Sequence, residues 1–218
     1  EYKSGFNDYT NKEWMWGLSC TIDDNMPCYL FYFKDCTSDG YTNLNADPYF
    51  KEEFEEGDYR KDLFDWGQTA YGDWAMLNKK FIFKDLDNML ADLVLMRTSE
   101  MYLIKAEAEA MSVNLAAGKS TLENFVQAYR DPSFVSKATS PQQFQDEVWL
   151  QRRMELWGEG HSLFDLLRLK KPVIRKNTNY HASVQFNLEP ESQIMIYRIP
   201  QCEMETNTGT VSYTHLRA

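Results

Sequence analysis

The sequence has few of the residues that build metal centres and disulfide frameworks. Its 218 residues include four cysteines and three histidines, and no two cysteines form a C-x-x-C pair. Because the ligand spacing of a zinc site is missing, we predict no metal site and no cofactor. Cysteine pairing cannot be deduced from one sequence, so an oxidising compartment is allowed but not required.

Positive charge and long apolar runs are also scarce. The chain carries 33 acidic and 23 basic side chains, a formal net charge of −10, so most of its surface would repel a phosphate backbone and nucleic acid is not expected as a partner. No stretch approaches the run of about 18 apolar residues that a membrane helix needs. The opening EYKSGF lacks the pattern of a secretory leader. We therefore expect a fragment whose true N-terminus, with any export signal, lies upstream.

Aromatic residues, in contrast, are abundant. Thirteen Tyr, 13 Phe and six Trp make up 15% of the chain, within an ordinary globular composition of 43% hydrophobic and 26% charged residues. One core of this size needs fewer rings. We expect some of the others to face a ligand or a partner.

The chain divides into a loop-rich part and a helical part. Gly, Pro, Asn and Asp are frequent over 1–92, where only short strands at 29–33 and 80–83 are predicted. The segment RTSEMYLIKAEAEAM, which begins at Arg97, has neither Gly nor Pro and is rich in good helix formers. Apolar periodicity and capping residues predict helices near 95–112, 120–130, 140–157 and 162–169.

Apolar stripes predict how the first two helices pack. The first helix has two of them, one formed by Leu103, Ala106 and Ala110 and the other by Ile104, Ala108 and Met111. It should therefore pack on both sides. The second helix is expected to start at Ser120 or Thr121 after a turn at Gly118, and to present a stripe of Leu122, Phe125, Val126 and Tyr129.

The third helix carries charges on an otherwise apolar circumference. Its Arg152, Glu155 and Glu159 fall on one face, near Asp165 and Arg168 of the next helix. Charges on so buried a helix are costly unless they are paired, which predicts a structural ion network of these five residues. The alternative is a glycosidase acid–base pair of Glu155 and Glu159. We favour the network because neighbouring arginines would hold both acids ionised, whereas a catalytic acid needs a raised pKa.

Three motifs together indicate a family. The runs RTSEMYLIKAEAEA, QRRMELWGEGHSLFDLLR and IPQCEMETN, in this order and spacing, resemble the C-terminal signature of the SusD/RagB family. The upstream SGFNDYTNKEWMWG is similar to the stretch that opens that region, so the resemblance covers about 4–207. It departs from the family at FVQAYRDPSF, where members more often have an asparagine and two arginines. The final VSYTHLRA looks like adaptor read-through, and 208–218 is expected to be a non-native or disordered tail.

The resemblance implies both a fold and a function. The fold would be mainly α, a tetratricopeptide-like helical scaffold (93–207) with a long loop-rich portion (1–92) that faces the ligand and a few short strands. Such proteins do not cleave their ligand. They bind an oligosaccharide or polysaccharide on the outer face of the outer membrane and partner a SusC-like TonB-dependent transporter. Membrane attachment would come only through an N-terminal lipid anchor absent from this chain. There are two alternatives: the protein binds a peptide or another nutrient, or it is a helical adaptor that binds only protein. A glycoside hydrolase is the least favoured function.

Four rings of the loop-rich part are candidate ligand contacts. The segment WGQTAYGDW holds Trp66, Tyr71 and Trp74 between glycines and polar groups, and YTNLN, with Tyr41, is a smaller version. A sugar site needs aromatic faces for its C–H patches and polar groups for its hydroxyls. Each ring could instead be a core anchor beneath a long loop. A loosely bound cation among Asp35, Asp39, Asn43 and Asp47 is a further possibility, with a plain turn as the alternative.

Overall fold

The fold is mainly α-helical and is known from a computed structural model. The structure describes residues 5–24, 46, 48–65, 77–78, 80–85, 87–88, 90–112, 114–175 and 181–207. Its helices are α1 (Thr98–Ser112), α2 (Leu115–Tyr129), α3 (Pro141–Glu155), α4 (Ser162–Arg168) and α5 (Gln201–Thr206). Within these residues, no helix combines the length and apolar character needed to cross a bilayer.

Local signals explain where α3 begins. Ser140 accepts a hydrogen bond from the backbone N–H of Gln143 at 3.3 Å, and Pro141 occupies the first turn. Gln143 in turn accepts from the N–H of Thr139 at 2.9 Å. These contacts satisfy donors that the helix itself leaves open, so the predicted start of this helix is confirmed.

The predicted start of the second helix is wrong by one and a half turns. Asn114 caps α2, since its side chain accepts from the N–H of Ala117 at 2.8 Å. Gly118 therefore lies inside the helix instead of in the connection, and it is buried. A Cβ at this position would lie 2.6 Å from both the Ala106 carbonyl oxygen and the Ala110 Cβ. Glycine here allows α1 and α2 to approach closely.

Gly118→Ala is expected to destabilise the fold by about 1–3 kcal/mol. Alanine is the better helix former, but the atoms that its Cβ would meet belong partly to the backbone of α1 and cannot move cheaply. Thermal unfolding followed by circular dichroism measures the change. Ser120→Ala, at an exposed position of the same helix, is the control and should leave the melting temperature unchanged or slightly higher. A Gly118→Ala variant more stable than the parent would contradict this packing.

Three short antiparallel strand pairs lie among the described residues, and one of them joins the loop-rich part to the helical part. The largest pairs β1 (Trp14–Leu18) with β4 (Leu93–Arg97), and irregular register interrupts it beside Trp16. Residues 95–97, predicted as helix, are therefore strand, because their backbone groups pair with β1. The other pairs are β2 (Phe64–Asp65) with β3 (Leu77–Asn78), and β5 (Val173–Ile174) with β6 (Asn187–Leu188).

The strand predicted at 80–83 is not formed. The backbone N–H of Ile82 instead donates to the Gly5 carbonyl at 3.0 Å, and the Asn7 side chain donates to the Ile82 carbonyl. The strand predicted at 29–33 lies outside the described residues. The remaining short elements are 3₁₀ turns at Ile22–Asp24, Pro48–Glu53, Tyr59–Leu63, Ala182–Val184 and Gln193–Met195.

Two apolar cores lie on opposite sides of α3. The first joins α1, α2 and α3 and consists of Leu103, Ala106, Ala110, Leu122, Phe125, Val126, Ala138, Phe144 and Val148. The second packs the loop-rich part against Met154 and includes Ala46, Phe50, Phe54, Leu63 and Phe64. Because α3 contributes to both cores, charged residues at its end are enclosed from several directions.

Candidate functional site

The end of α3 places Glu155 at the centre of a cluster of arginines. Its carboxylate accepts from Arg97 at 2.7 Å and from Arg130 at 2.8 Å through each of its oxygens. Arg60 approaches to 3.5 Å. The three arginines come from the end of β4, the end of α2 and a 3₁₀ turn, so one carboxylate ties together four segments of the chain.

Glu159 extends the cluster beyond the helix. Arg97 donates to its two carboxylate oxygens at 2.8 Å each, and the Lys80 ammonium pairs with it as well. The same ammonium donates to the backbone carbonyls of Glu155 and Trp157 at 2.9 Å. The turn that allows this geometry has Gly158 in the left-handed region at φ +77°, where a Cβ would lie 2.5 Å from the Phe81 ring.

Both carboxylates remain ionised although they are buried. Burial, the largest single influence, would raise the pKa of Glu155, but the charges of Arg97 and Arg130 together hold it well below its ordinary value. Burial also acts to raise the pKa of Glu159, and Lys80 and Arg97 outweigh it. For Lys80, burial lowers the pKa to about 8 against the attraction of Glu159. The two buried carboxylates are therefore ion-paired with arginine and lysine side chains, and neither acid holds a proton that it could release at neutral pH.

The five residues of the predicted ion network lie in two clusters. Glu155 and Glu159 belong to the one just described. Arg152 binds Asp165 at 2.8 Å, and Arg168 binds the same carboxylate at 2.8 Å. Arg168 also donates to both oxygens of Glu107, on α1, at 2.6 and 2.9 Å. This second cluster fastens α4 to α3 and α1.

Sequence reasoning missed the cationic partners of the two glutamates. Arg97, Arg130 and Lys80 lie 58, 25 and 79 positions from the glutamate that each contacts. Their one local signal is position, since Arg97 ends an apolar strand and Arg130 ends an apolar helix. The sequence does not say towards which partner either side chain turns.

A cavity of about 510 Å³ opens beside this cluster. Tyr102 and Tyr129, with 40% and 57% of their surface exposed, stand on its wall. Tyr102 stacks on Phe125 at 5.2 Å with an angle of 11° between the rings. Neither phenol hydrogen-bonds to another described residue. The full lining is Lys12, Glu13, Thr98, Ser99, Tyr102, Phe125, Ala128, Tyr129 and Arg130.

Polar groups lie at the edge of these rings. The hydroxyl of Ser99 donates to Glu13, and Arg130 donates to the Ser99 oxygen at 3.1 Å. Aromatic faces next to carboxylate, hydroxyl and guanidinium groups suit a sugar, which presents C–H patches and hydroxyls together. Sequence reasoning had assigned Tyr129 to the buried stripe of its helix. Tyr129 is exposed, however, and occupies the last turn of α2.

The candidate contacts of the loop-rich part remain predictions. Trp66, Tyr71, Trp74 and Tyr41 fall outside the described residues, as do Asp35, Asp39, Asn43 and Asp47. In the part of the chain that the structure describes, no group of three or more His, Cys, Asp or Glu side chains could hold a metal ion.

Comparison with known proteins identifies what the chain resembles. The model of the SusD family matches residues 37–213. A SusD-like carbohydrate binding protein from Bacteroides vulgatus is 35% identical, with a TM-score of 0.80 over 98% of this chain and 51% of its own. A SusD superfamily protein from Bacteroides thetaiotaomicron is 21% identical, with a TM-score of 0.77 over 95% of this chain and 50% of its own. The chain thus spans about half the length of these structures. A comparison with curated proteins gives no match.

Proposed function

The chain belongs to the SusD family, and from this we propose that it serves in the non-enzymatic binding of an oligosaccharide or polysaccharide at the cell surface. We propose further that the complete protein delivers this glycan to a SusC-like TonB-dependent transporter. A lipid anchor outside this chain would hold it on the outer face of the outer membrane.

The cavity at Tyr102 and Tyr129 is the observation that carries the binding part of the proposal. Two half-exposed rings, whose phenol groups hydrogen-bond to no described residue, adjoin Glu13 and Arg130 around a cavity of about 510 Å³. A volume of this size accommodates a sugar unit or two, and the mixture of rings and polar groups matches the chemistry of a glycan. The 35% identical relative, described as a carbohydrate binding protein, supports the same ligand class.

The state of Glu155 and Glu159 supports binding without cleavage. A glycoside hydrolase needs one carboxyl group that stays protonated near neutral pH, which requires a raised pKa. The pKa values of both glutamates are lowered, and arginine and lysine groups occupy their oxygens. Glu155 and Glu159 therefore stabilise the fold through ion pairs.

Replacing ring pairs in the complete protein is expected to weaken glycan binding at least about tenfold, or ~1.4 kcal/mol. One pair is Trp66→Ala with Trp74→Ala in the loop-rich part, and the other is Tyr102→Ala with Tyr129→Ala. Pairs are needed because one stacked ring gives too little area to offset the cost of association. Affinity gels carrying a panel of polysaccharides measure retention, and circular dichroism checks the helical content.

Tyr197→Ala is the matched control, because this ring is 87% exposed and belongs to neither group. If both double variants are retained like the parent on every polysaccharide that binds the parent, neither group contacts the glycan. If no polysaccharide retains the parent protein and peptides bind to it, the result would favour a peptide carrier. Binding of the transporter alone would favour a protein-only adaptor.

A further inference from the structure

The ionised groups beneath the proposed glycan cavity balance one another. Among the described residues, four cations and four carboxylates are joined by ion pairs into one cluster: Arg60, Lys80, Arg97 and Arg130, with Glu13, Asp58, Glu155 and Glu159. Four positive and four negative charges leave this cluster with no net charge. The sign of the electrostatic potential in the cavity is therefore set by the other groups on its wall.

Glu13 is the one carboxylate among the described residues that line the cavity. Its Oε1 lies 2.8 Å from Arg97 and 3.3 Å from Arg130, and it accepts a hydrogen bond from the Ser99 hydroxyl. Two guanidinium groups thus compensate its charge before any ligand binds. Glu13 therefore attracts no further cation, and its repulsion of an anion is weak.

Lys12 lies on the same wall with an ammonium that pairs with no carboxylate of the described residues. Its side chain is exposed, and the next residue fixes its backbone, because the Glu13 carbonyl accepts from the Thr98 backbone N–H at 2.9 Å and from the Thr98 hydroxyl at 3.1 Å. Since the cluster beneath is neutral, the charge of Lys12 makes this wall positive. The start of α1 at Thr98, which also lines the cavity, adds partial positive charge.

The positive wall and the aromatic wall lie close enough for one ligand to reach both. Tyr102 follows Thr98 by four residues, which is about 6 Å along the axis of α1. A sugar ring that lies against Tyr102 and Tyr129 can therefore extend a substituent to the Lys12 ammonium. Tyrosine faces bind the C–H patches of acidic and neutral sugars alike, so the ammonium is the group that selects between them.

On the basis of the proposed glycan-binding function, we propose that this cavity takes an acidic glycan, in which one sugar ring lies against Tyr102 and Tyr129 and its carboxylate or sulfate group pairs with the ammonium of Lys12. The net charge of −10 does not prevent this pairing for a short ligand. At physiological ionic strength exposed charges are screened beyond about 8 Å, so distant carboxylates of the surface have less influence than an ammonium in contact.

Pairs of oligosaccharides that differ only in the acidic group test this preference on the complete protein. For uronates the pair is trigalacturonate and its methyl ester, and for sulfates it is a sulfated galactan trisaccharide and its desulfated form. Calorimetry measures both members of each pair. We expect the acidic member of at least one pair to bind about three- to fivefold more tightly, the range of one exposed ion pair. The pair that shows the preference identifies the acidic group as carboxylate or sulfate.

Lys12→Gln should remove this preference by weakening the acidic member to the level of the neutral one, whose affinity should stay within about twofold of its value in the parent. Lys12→Arg keeps the charge and should keep the preference. Lys51→Gln is the matched control, since Lys51 is likewise exposed but does not line the cavity. Raising NaCl from about 50 mM to about 500 mM should remove most of the preference of the parent, because salt screens an exposed ion pair.

Equal affinity for both members of every pair that binds, or a preference that survives in Lys12→Gln, would overturn the proposal. The same holds if every acidic oligosaccharide fails to bind while a neutral polysaccharide binds. Each of these results leaves the glycan-binding function standing, because a glycan still binds. If no glycan of either kind binds to the complete protein, the proposed function itself fails, and the preference for an acidic glycan fails with it.

Discussion

Glu155→Gln is expected to remove about 3–5 kcal/mol from the free energy of unfolding. Glutamine keeps the shape of the side chain but removes the charge that offsets Arg97 and Arg130, which are buried within 3 Å of it. Breaking a buried ion pair from one side leaves the other charge without compensation, and this cost exceeds what the pair itself contributes. Urea unfolding at pH 7, followed by circular dichroism, gives the difference directly.

Glu56→Gln is the control for this substitution, because the Glu56 side chain is fully exposed although it lies 3.3 Å from Lys61. It should change the free energy of unfolding by no more than about 0.5 kcal/mol. A double-mutant cycle that combines Glu155→Gln with Arg97→Gln should give a coupling of at least about 1 kcal/mol. A Glu155→Gln protein within 1 kcal/mol of the parent would show that the cluster is not the centre of the fold's stability.

The cluster connects segments of the chain that lie far apart in the sequence. Arg97 ends β4 just before α1 begins, and Arg130 directly follows α2, so their ion pairs with Glu155 connect the ends of these elements to α3. Arg97 further contacts Glu13 at 2.8 Å, which joins the segment before β1 to the helices. The wall of the tyrosine cavity contains Glu13 and Arg130. The geometry of the candidate glycan site thus depends on the same ion pairs that hold the scaffold.

The helices were predictable because their signals are local. Ser140 caps α3 and Pro141 is its first residue, so both signals lie at the start of the helix, and the apolar stripes of α1 repeat at helical spacing. The error at α2 is equally local in origin. Gly118 is a helix breaker by propensity, but close packing on Ala110 requires it inside the helix, and tertiary contact outweighs propensity.

The partners of Glu155 and the exposure of Tyr129 depend on contacts that spacing does not encode. Arg97 lies 58 residues from Glu155, and nothing in either neighbourhood specifies the other. Periodicity places Tyr129 on the same stripe as Phe125, but it does not show that Tyr129, in the last turn of α2, stays 57% exposed. The contacts predicted in the loop-rich part remain predictions, since Trp66, Tyr71, Trp74 and Tyr41 fall outside the described residues.

Acid is expected to weaken the fold chiefly below pH 4.5, the ordinary pKa of a glutamate. In the folded protein the pKa values of Glu155 and Glu159 are lowered, whereas in the unfolded chain both acids take up protons near that pH. The unfolded state then binds more protons than the folded state, so the free energy of unfolding falls as the pH falls. Each glutamate contributes up to about 1.4 kcal/mol per pH unit, or ~2.7 kcal/mol per pH unit for the two.

The comparison between the parent and Glu155→Gln isolates the share of Glu155 from that of other carboxylates. Because glutamine does not titrate, urea midpoints of the two proteins should lie far apart from pH 7 to pH 5 and converge as the pH falls towards 3. The gap should close by about 1.4 kcal/mol for each pH unit below 4.5, as long as Glu155 stays ionised in the folded state. Glu56→Gln should follow the parent at every pH, since an exposed acid has no such difference between states. A gap between the parent and Glu155→Gln that keeps the same size from pH 7 to pH 3 would show that the charge of Glu155 is not what Arg97 and Arg130 require.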